Sequence, residues 1–221
     1  MDIVQNLNKI QESIPDHVTL VAVSKTKPSS MILDLHRAGH FDFGENKVQD
    51  LVRKYESLPS DIEWHMVGHM QTNKVKYLAP FVHLMHGVDS LKLLRVINKE
   101  AGKSGRVLNV LLQMHIATED TKFGFSEEEV MAILDSSDFH QMKNIKILGV
   151  MGMATYTSNL EQIRKEFKGL YNFFENLKTN YFNMDQDFKE ISMGMSSDYK
   201  IAIEEGSTMI RIGSMIFGNR N

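Results

Sequence analysis

Eight short apolar runs, parted by longer stretches of helical periodicity, leave this chain few folds to choose from. The runs read as strands at 18–24 (VTLVAVS), 41–45 (FDFGE), 63–68 (EWHMVG) and 83–88 (HLMHGV). Four more follow at 107–116 (VLNVLLQMHI), 145–153 (IKILGVMGM), 189–195 (KEISMGM) and 208–214 (TMIRIGS). Most are continuously apolar rather than alternating, as parallel strands covered on both faces should be. Among the intervening segments, SSMILDLHRAGH begins beside Pro28 and ends near Gly39, the usual asymmetry of a helix. SEEEVMAIL opens with Ser126 and Glu129 at capping-box spacing. In LEQIRKEFKGLYNFFENLK, the residues Leu160, Ile163, Phe167, Leu170, Phe174 and Leu177 form one stripe.

Eight strands alternating with helices predict an α/β fold, a single (β/α)₈ barrel of the TIM type over residues 1–221. About 28 residues per unit is compact for a fold that typically takes ~250. An open doubly wound sheet competes, but no G-x-G-x-x-G follows the first strand. The absence of cysteine excludes disulfides, a thiol nucleophile and cysteine-ligated metals. A net charge of −3 argues against nucleic acid as a partner. The charged start MDIVQNLNKIQESIPDH lacks a signal-peptide core, and YLAPFVHLMHGV, the longest uncharged run, is too short to cross a bilayer. A cytoplasmic monomer without membrane partners is expected.

In such barrels the chemistry sits at the carboxyl ends of the strands, and loops after the seventh and eighth commonly hold phosphate. Those ends carry Lys25, the Asn46 of GENK, the segment HMVGHMQTNK, GMSSDY and RIGSMIFG. GMSSDY and RIGSMIFG fit a phosphate site: Ser196 lies where a strand enters a helix, and Gly213 with Ser214 allows close backbone approach. Taken singly, Ser196 is an N-cap and Gly213 a turn residue. Arg211, between Ile210 and Ile212, faces the barrel interior if the isoleucines face the helices. A charge there needs a partner, either Glu45 or Asp89 in an ion pair, or a polar ligand atom. An amine opposite a phosphate site points to pyridoxal phosphate, with Lys25 forming the Schiff base and Arg211 facing the pyridine nitrogen.

AVSKTKP, FGENKVQD, WHMVGHMQTNK, MGMSSDY and RIGSMIFG, in this order and spacing, resemble the pyridoxal-phosphate homeostasis proteins (YggS/PROSC-like). The resemblance covers nearly the whole chain. It implies a barrel like the N-terminal domain of alanine racemase, with pyridoxal 5'-phosphate carried on Lys25 rather than Lys27. It implies further that Arg211 meets the pyridine nitrogen, that Met195, Ser196, Gly213 and Ser214 contact the phosphate, and that Asn46 lies near the ring. Ser214 stands where relatives usually have threonine. His115 stands where most have asparagine, a departure that bears on the pocket wall near the fifth strand.

The implied role is intracellular cofactor homeostasis: reversible holding of pyridoxal phosphate, extended to delivery to apo-enzymes. A racemase-like enzyme is the alternative. Racemisation needs a second base, which alanine racemase takes from a C-terminal domain for which the seven residues after Ser214 leave no room. His65, His69 and Tyr156 are the substitutes to consider, and little or no amino-acid turnover is expected. An aldolase-type sugar-phosphate enzyme fits the phosphate loops but not Arg211. His65 and His69 share the i, i+4 spacing of a zinc pair, but a strand at His65 removes that geometry. The methionines are expected to fill core gaps rather than to bind soft metals.

Overall fold

The computed structural model describes residues 2–119 and 123–218. Eight parallel strands close into a barrel in chain order, β1 (Thr19–Val23), β2 (Asp42–Glu45), β3 (Glu63–Met66), β4 (Leu84–Val88), β5 (Leu108–Gln113), β6 (Ile145–Met151), β7 (Glu190–Ser192) and β8 (Met209–Ile212). Closure comes from β1 pairing with β8, which sets Val21 opposite Arg211. With the predicted helices outside this ring, the chain is a (β/α)₈ barrel.

The helices are α1 (Ile3–Gln11), α2 (Ser29–Arg37), α3 (Val48–Ser57), α4 (Val75–Leu78) and α5 (Leu91–Lys103). They continue with α6 (Glu127–Leu134), α7 (Ser137–His140), α8 (Leu160–Asn180), α9 (Tyr199–Glu204) and α10 (Ser214–Phe217). Pro28 is the N-cap of α2, and Gly39 just beyond it takes φ +90°. The capping box forms: Glu129 N–H donates to Ser126 Oγ at 3.2 Å, and Ser126 N–H to Glu129 Oε2 at 2.9 Å. The stripe of α8 is buried from Ile163 to Leu177 with Phe173 added, but Leu160, at its first position, stays 60% exposed.

Several strands are shorter than the apolar runs. β5 ends at Gln113, β6 at Met151 just before Gly152, and β7 at Ser192, two residues before Gly194. Gly194 at φ +95° turns the chain towards α9, and Gly213 leads directly into α10. Two apolar layers result. Ile210, Ile212, Phe43 and Trp64 pack between sheet and helices, with Met66, Met85 and Met193 among them. A smaller cluster of Val21, Leu84, Leu111, Met151 and Met209 fills the barrel itself. Methionine thus serves packing in both layers.

Candidate functional site

Lys25 follows two residues after β1, in a turn held on three sides. Lys27 N–H donates to Ser24 O at 3.0 Å, and Thr26 takes φ +66°, a left-handed conformation that a β-branched residue seldom adopts. Beneath the turn lies a buried ion pair between Lys54 of α3 and Glu45 of β2, 2.6 Å apart. Lys54 Nζ also donates to Ser24 O at 2.9 Å, and Ser24 Oγ donates to the same Glu45 oxygen at 2.6 Å. The residue preceding Lys25 is therefore clamped through both its carbonyl and its hydroxyl. The Lys27 ammonium donates to Phe217 O at 3.0 Å, at the end of α10.

Above this turn opens a cavity of about 660 Å³, within the usual size of a small-molecule site. Lys25, Asn46, Met195, Ser196, Arg211, Gly213 and Ser214 all line it. Ser196 is not an N-cap, since α9 begins at Tyr199 with Asp198 as its cap. Asp198 Oδ1 accepts from Met195 N–H at 2.6 Å, whereas the Ser196 and Ser197 amides donate to no described residue. A Cβ at Gly213 would stand 3.1 Å from Val23 O, so a side chain there would crowd the cavity edge beside β1.

Arg211 points inward, as its flanking isoleucines predict, but neither Glu45 nor Asp89 is its partner. Glu45 belongs to Lys54, and Asp89 takes His69 at 3.0 Å. Arg211 instead donates through Nη1 to Ser192 O at 2.8 Å and Ser192 Oγ at 2.5 Å, and through Nη2 to Gly152 O at 3.1 Å. Three of its five N–H groups are so engaged, which leaves two for a ligand. Burial lowers its pKa to about 10, against a smaller opposing pull from Asp198, so the guanidinium stays charged at neutral pH.

The wall also holds residues that the sequence reading passed over. Gln113 at the end of β5 faces the cavity and donates to Phe123 O at 3.0 Å, and Phe123 stacks on His69 with centroids 4.2 Å apart. His115, two residues on, does not reach this wall. It lines a separate cavity of about 410 Å³ outside the barrel, beside Leu170 and Phe173 of α8. The departure at His115 therefore leaves the cavity untouched. Position-two alternation along β5 is the signal that distinguishes Gln113 from Met114.

Among the substitutes for a second base, Tyr156 and His69 sit on the rim, Tyr156 with 92% of its surface exposed. His65 lies deep in the barrel with both ring nitrogens occupied, by Asp42 Oδ1 at 3.1 Å and His86 Nε2 at 2.9 Å. It shares no site with His69.

The sequence matches the family described as the alanine racemase N-terminal domain over residues 2–221. A curated pyridoxal phosphate homeostasis protein of Aquifex aeolicus is 38% identical, over 91% of this chain and 86% of its own. The Haemophilus influenzae protein of the same name is 36% identical, over 100% and 97%. PipY of Synechococcus elongatus, solved without PLP and with PLP bound, has TM-scores of 0.91 and 0.87 at 31% identity, covering 98% of this chain and 100% of PipY. Alanine racemase of Clostridium difficile shares the fold at 14% identity, with a TM-score of 0.77 over 99% of this chain and 57% of the racemase.

Proposed function

Because this chain belongs to the pyridoxal phosphate homeostasis proteins, within the alanine racemase N-terminal domain family, we propose that it binds pyridoxal phosphate and serves the homeostasis of that cofactor. The observation that carries the reading is convergence: the lysines Lys25 and Lys27, the guanidinium of Arg211 and two serine loops, from distant parts of the chain, line the same cavity. This donor set fits the group. When bound, it would bring an aldehyde able to condense with an amine and a ring able to withdraw electrons.

Lys25 is the residue that carries the Schiff base, with its turn braced by Lys54. Arg211 donates to the ring nitrogen. Being a poor proton donor, the guanidinium would leave the nitrogen of a bound ring unprotonated, which favours storage over carbanion chemistry. Ser196 and Ser214 supply hydroxyls to the phosphate, the free amides of Ser196 and Ser197 add donors, and Gly213 keeps the approach open. Asn46, which lines the same cavity, would stand beside a bound ring. Met195, its amide engaged by Asp198, contributes surface rather than an N–H. An open rim, with no second base fixed against the interior among the described residues, suits capture and release, including delivery to apo-enzymes.

The test is borohydride reduction of the loaded protein followed by peptide mapping. The pyridoxyl group is expected on Lys25. Its recovery on Lys27, with Lys25→Ala still coloured, would overturn the assignment. Transfer of cofactor to an apo-enzyme, run beside deuterium exchange at the α-carbon of amino acids, separates a carrier from an enzyme: multiple turnovers of exchange that depend on Lys25 would refute the carrier reading.

A further inference from the structure

Below the cavity, a continuous line of polar side chains runs from Arg211 through the barrel interior. Arg211 Nη1 lies 2.5 Å from Ser192 Oγ, Ser192 Oγ 2.9 Å from His86 Nδ1, His86 Nε2 2.9 Å from His65 Nδ1, and His65 Nε2 3.1 Å from Asp42 Oδ1. Ser192 and His86 are fully buried and His65 is 1% exposed. The Asp42 side chain, at the opposite mouth of the barrel, is 28% exposed. We propose that Asp42, His65, His86 and Ser192 form a one-way hydrogen-bond relay that orients Arg211 and couples the cofactor cavity to the far mouth of the barrel. The coupling to a bound ring rests on the function proposed above; the relay itself does not.

The direction follows from the two ends. A guanidinium can only donate, so Ser192 Oγ accepts from Arg211 and must send its single proton to His86 Nδ1. With Nδ1 acting as acceptor, the proton of neutral His86 is on Nε2, and it is donated to His65 Nδ1. The proton of His65 is then on Nε2, facing Asp42. An ionised carboxylate can only accept, so the far end independently imposes the same order. Reversal at any link would set two acceptors face to face at Asp42 or leave the Ser192 hydroxyl without an acceptor. Both imidazoles are fixed in the Nε2–H tautomer, and a permanent positive charge is joined to a negative one through neutral groups.

The surrounding charges support this state. Burial holds His86 well below its ordinary pKa, with His65, Arg211 and His83 adding to the effect. Burial works to raise Asp42, but the hydrogen bond from His65, together with the positive fields that His65, His40 and His83 exert when protonated, outweighs it and holds its pKa below the ordinary value. Around the lower mouth, His40 Nε2 contacts Asp42 O at 3.0 Å, His83 lies 5.3 Å from His65 between ring centroids, and Glu63 lies 3.5 Å from His83. Arg106 adds a positive field at His83, and Asp198 is the acidic group whose field reaches Arg211. Protonating His65 would place a second hydrogen on Nδ1, against the Nε2–H of His86. A second hydrogen at that position would break the relay at the link between the two imidazoles, and Arg211 would lose the order of its Ser192 contact.

Two measurements test this. Nitrogen-15 spectra of histidine-labelled apoprotein at neutral pH, assigned with His65→Gln and His86→Gln, should show both rings neutral and protonated on Nε2. Either ring in the Nδ1–H form would overturn the relay without reference to any cofactor. In the second, pyridoxal 5'-phosphate is titrated into Ser192→Ala and Asp42→Asn proteins whose circular dichroism matches the parent. Ser192→Ala should bind about tenfold more weakly. Asp42→Asn, remote from the cavity, should shift the pH at which the bound cofactor's absorbance band changes. Parent-like affinity and an unmoved pH profile in both variants would reduce the line to packing. Nε2–H tautomers in a protein that forms no cofactor band would instead refute the function and leave the relay standing.

Discussion

Replacing Lys54 with methionine should destabilise the protein far more than a surface lysine would. Glu45 has no exposed surface and the Lys54 side chain only 10%, so neither charge is solvated by bulk water. The Glu45 oxygen that meets Lys54 Nζ at 2.6 Å has one further donor, Ser24 Oγ, and its other oxygen has no partner among the described residues. Methionine keeps the apolar stem but removes the cation, leaving a carboxylate held by one hydroxyl. Breaking a buried pair from one side costs about 3–5 kcal/mol. For a chain of this length that corresponds to a melting temperature lower by roughly 6–20 °C. Equilibrium urea unfolding and thermal scans of the apoprotein would read it. Glu45→Gln added to Lys54→Met should recover most of the loss, because the stranded charge disappears with it. Cofactor affinity should stay reduced in the double variant, since Ser24 O beside Lys25 has lost its clamp. A single variant within about 1 kcal/mol of the parent, or a double variant worse than the single, would refute the reasoning.

Pyridoxal lacking its phosphate should bind about tenfold or more weakly than pyridoxal phosphate, the worth of one charge-assisted hydrogen bond, and equal dissociation constants would exclude Ser196 and Ser214 as phosphate contacts. Acid should unfold the protein early. Burial lowers His40 and His86 from their ordinary 6.5, so below that pH the unfolded chain binds more protons than the native one. Stability should fall by about 1.4 kcal/mol per pH unit for each imidazole that stays neutral in the fold, until the pH reaches its folded pKa. Asp42 adds a loss only below its ordinary 3.8, as pH falls through its depressed folded value. Melting temperatures flat between pH 7 and 5 would contradict this. Gly149→Ala should abolish soluble expression or cost more than about 4 kcal/mol, a size reserved for severe backbone or core damage. At φ +153° its Cβ would lie 1.8 Å from Glu190 O, in the β6–β7 pairing, and a near-native urea midpoint would show that the strands can part there.

Local rules account for the repeating units and for the residues at their ends. Continuous apolar runs mark strands buried on both faces, Pro28 and Gly39 bound α2, and Ser126 with Glu129 starts α6. Arg211 between two isoleucines is fixed inward by the period-two alternation of any strand. The same alternation, carried along β5, separates Gln113 from Met114, whereas His115, on Gln113's parity, leaves the cavity only because β5 ends at Gln113. Lys25, Ser196 and Ser214 follow because a parallel barrel gathers the carboxyl ends of its strands on one face.

What such rules cannot supply is the partner of each inward group. Lys54 reads as one more solvated lysine on an amphipathic helix, and only the seating of α3 over β2 turns it onto Glu45. His65 stands four residues from His69, a spacing that a strand makes meaningless, and the pleat delivers it to Asp42 on one neighbouring strand and His86 on the other. Ser192 carries no motif at all; it meets Arg211 because β7 and β8 are adjacent, with Ser192 paired to Met209. Each link of this interior line joins residues on different strands, whose separation along the chain depends on loop and helix lengths rather than on any periodicity. Strand order and register set those distances, and both are fixed when β8 closes against β1.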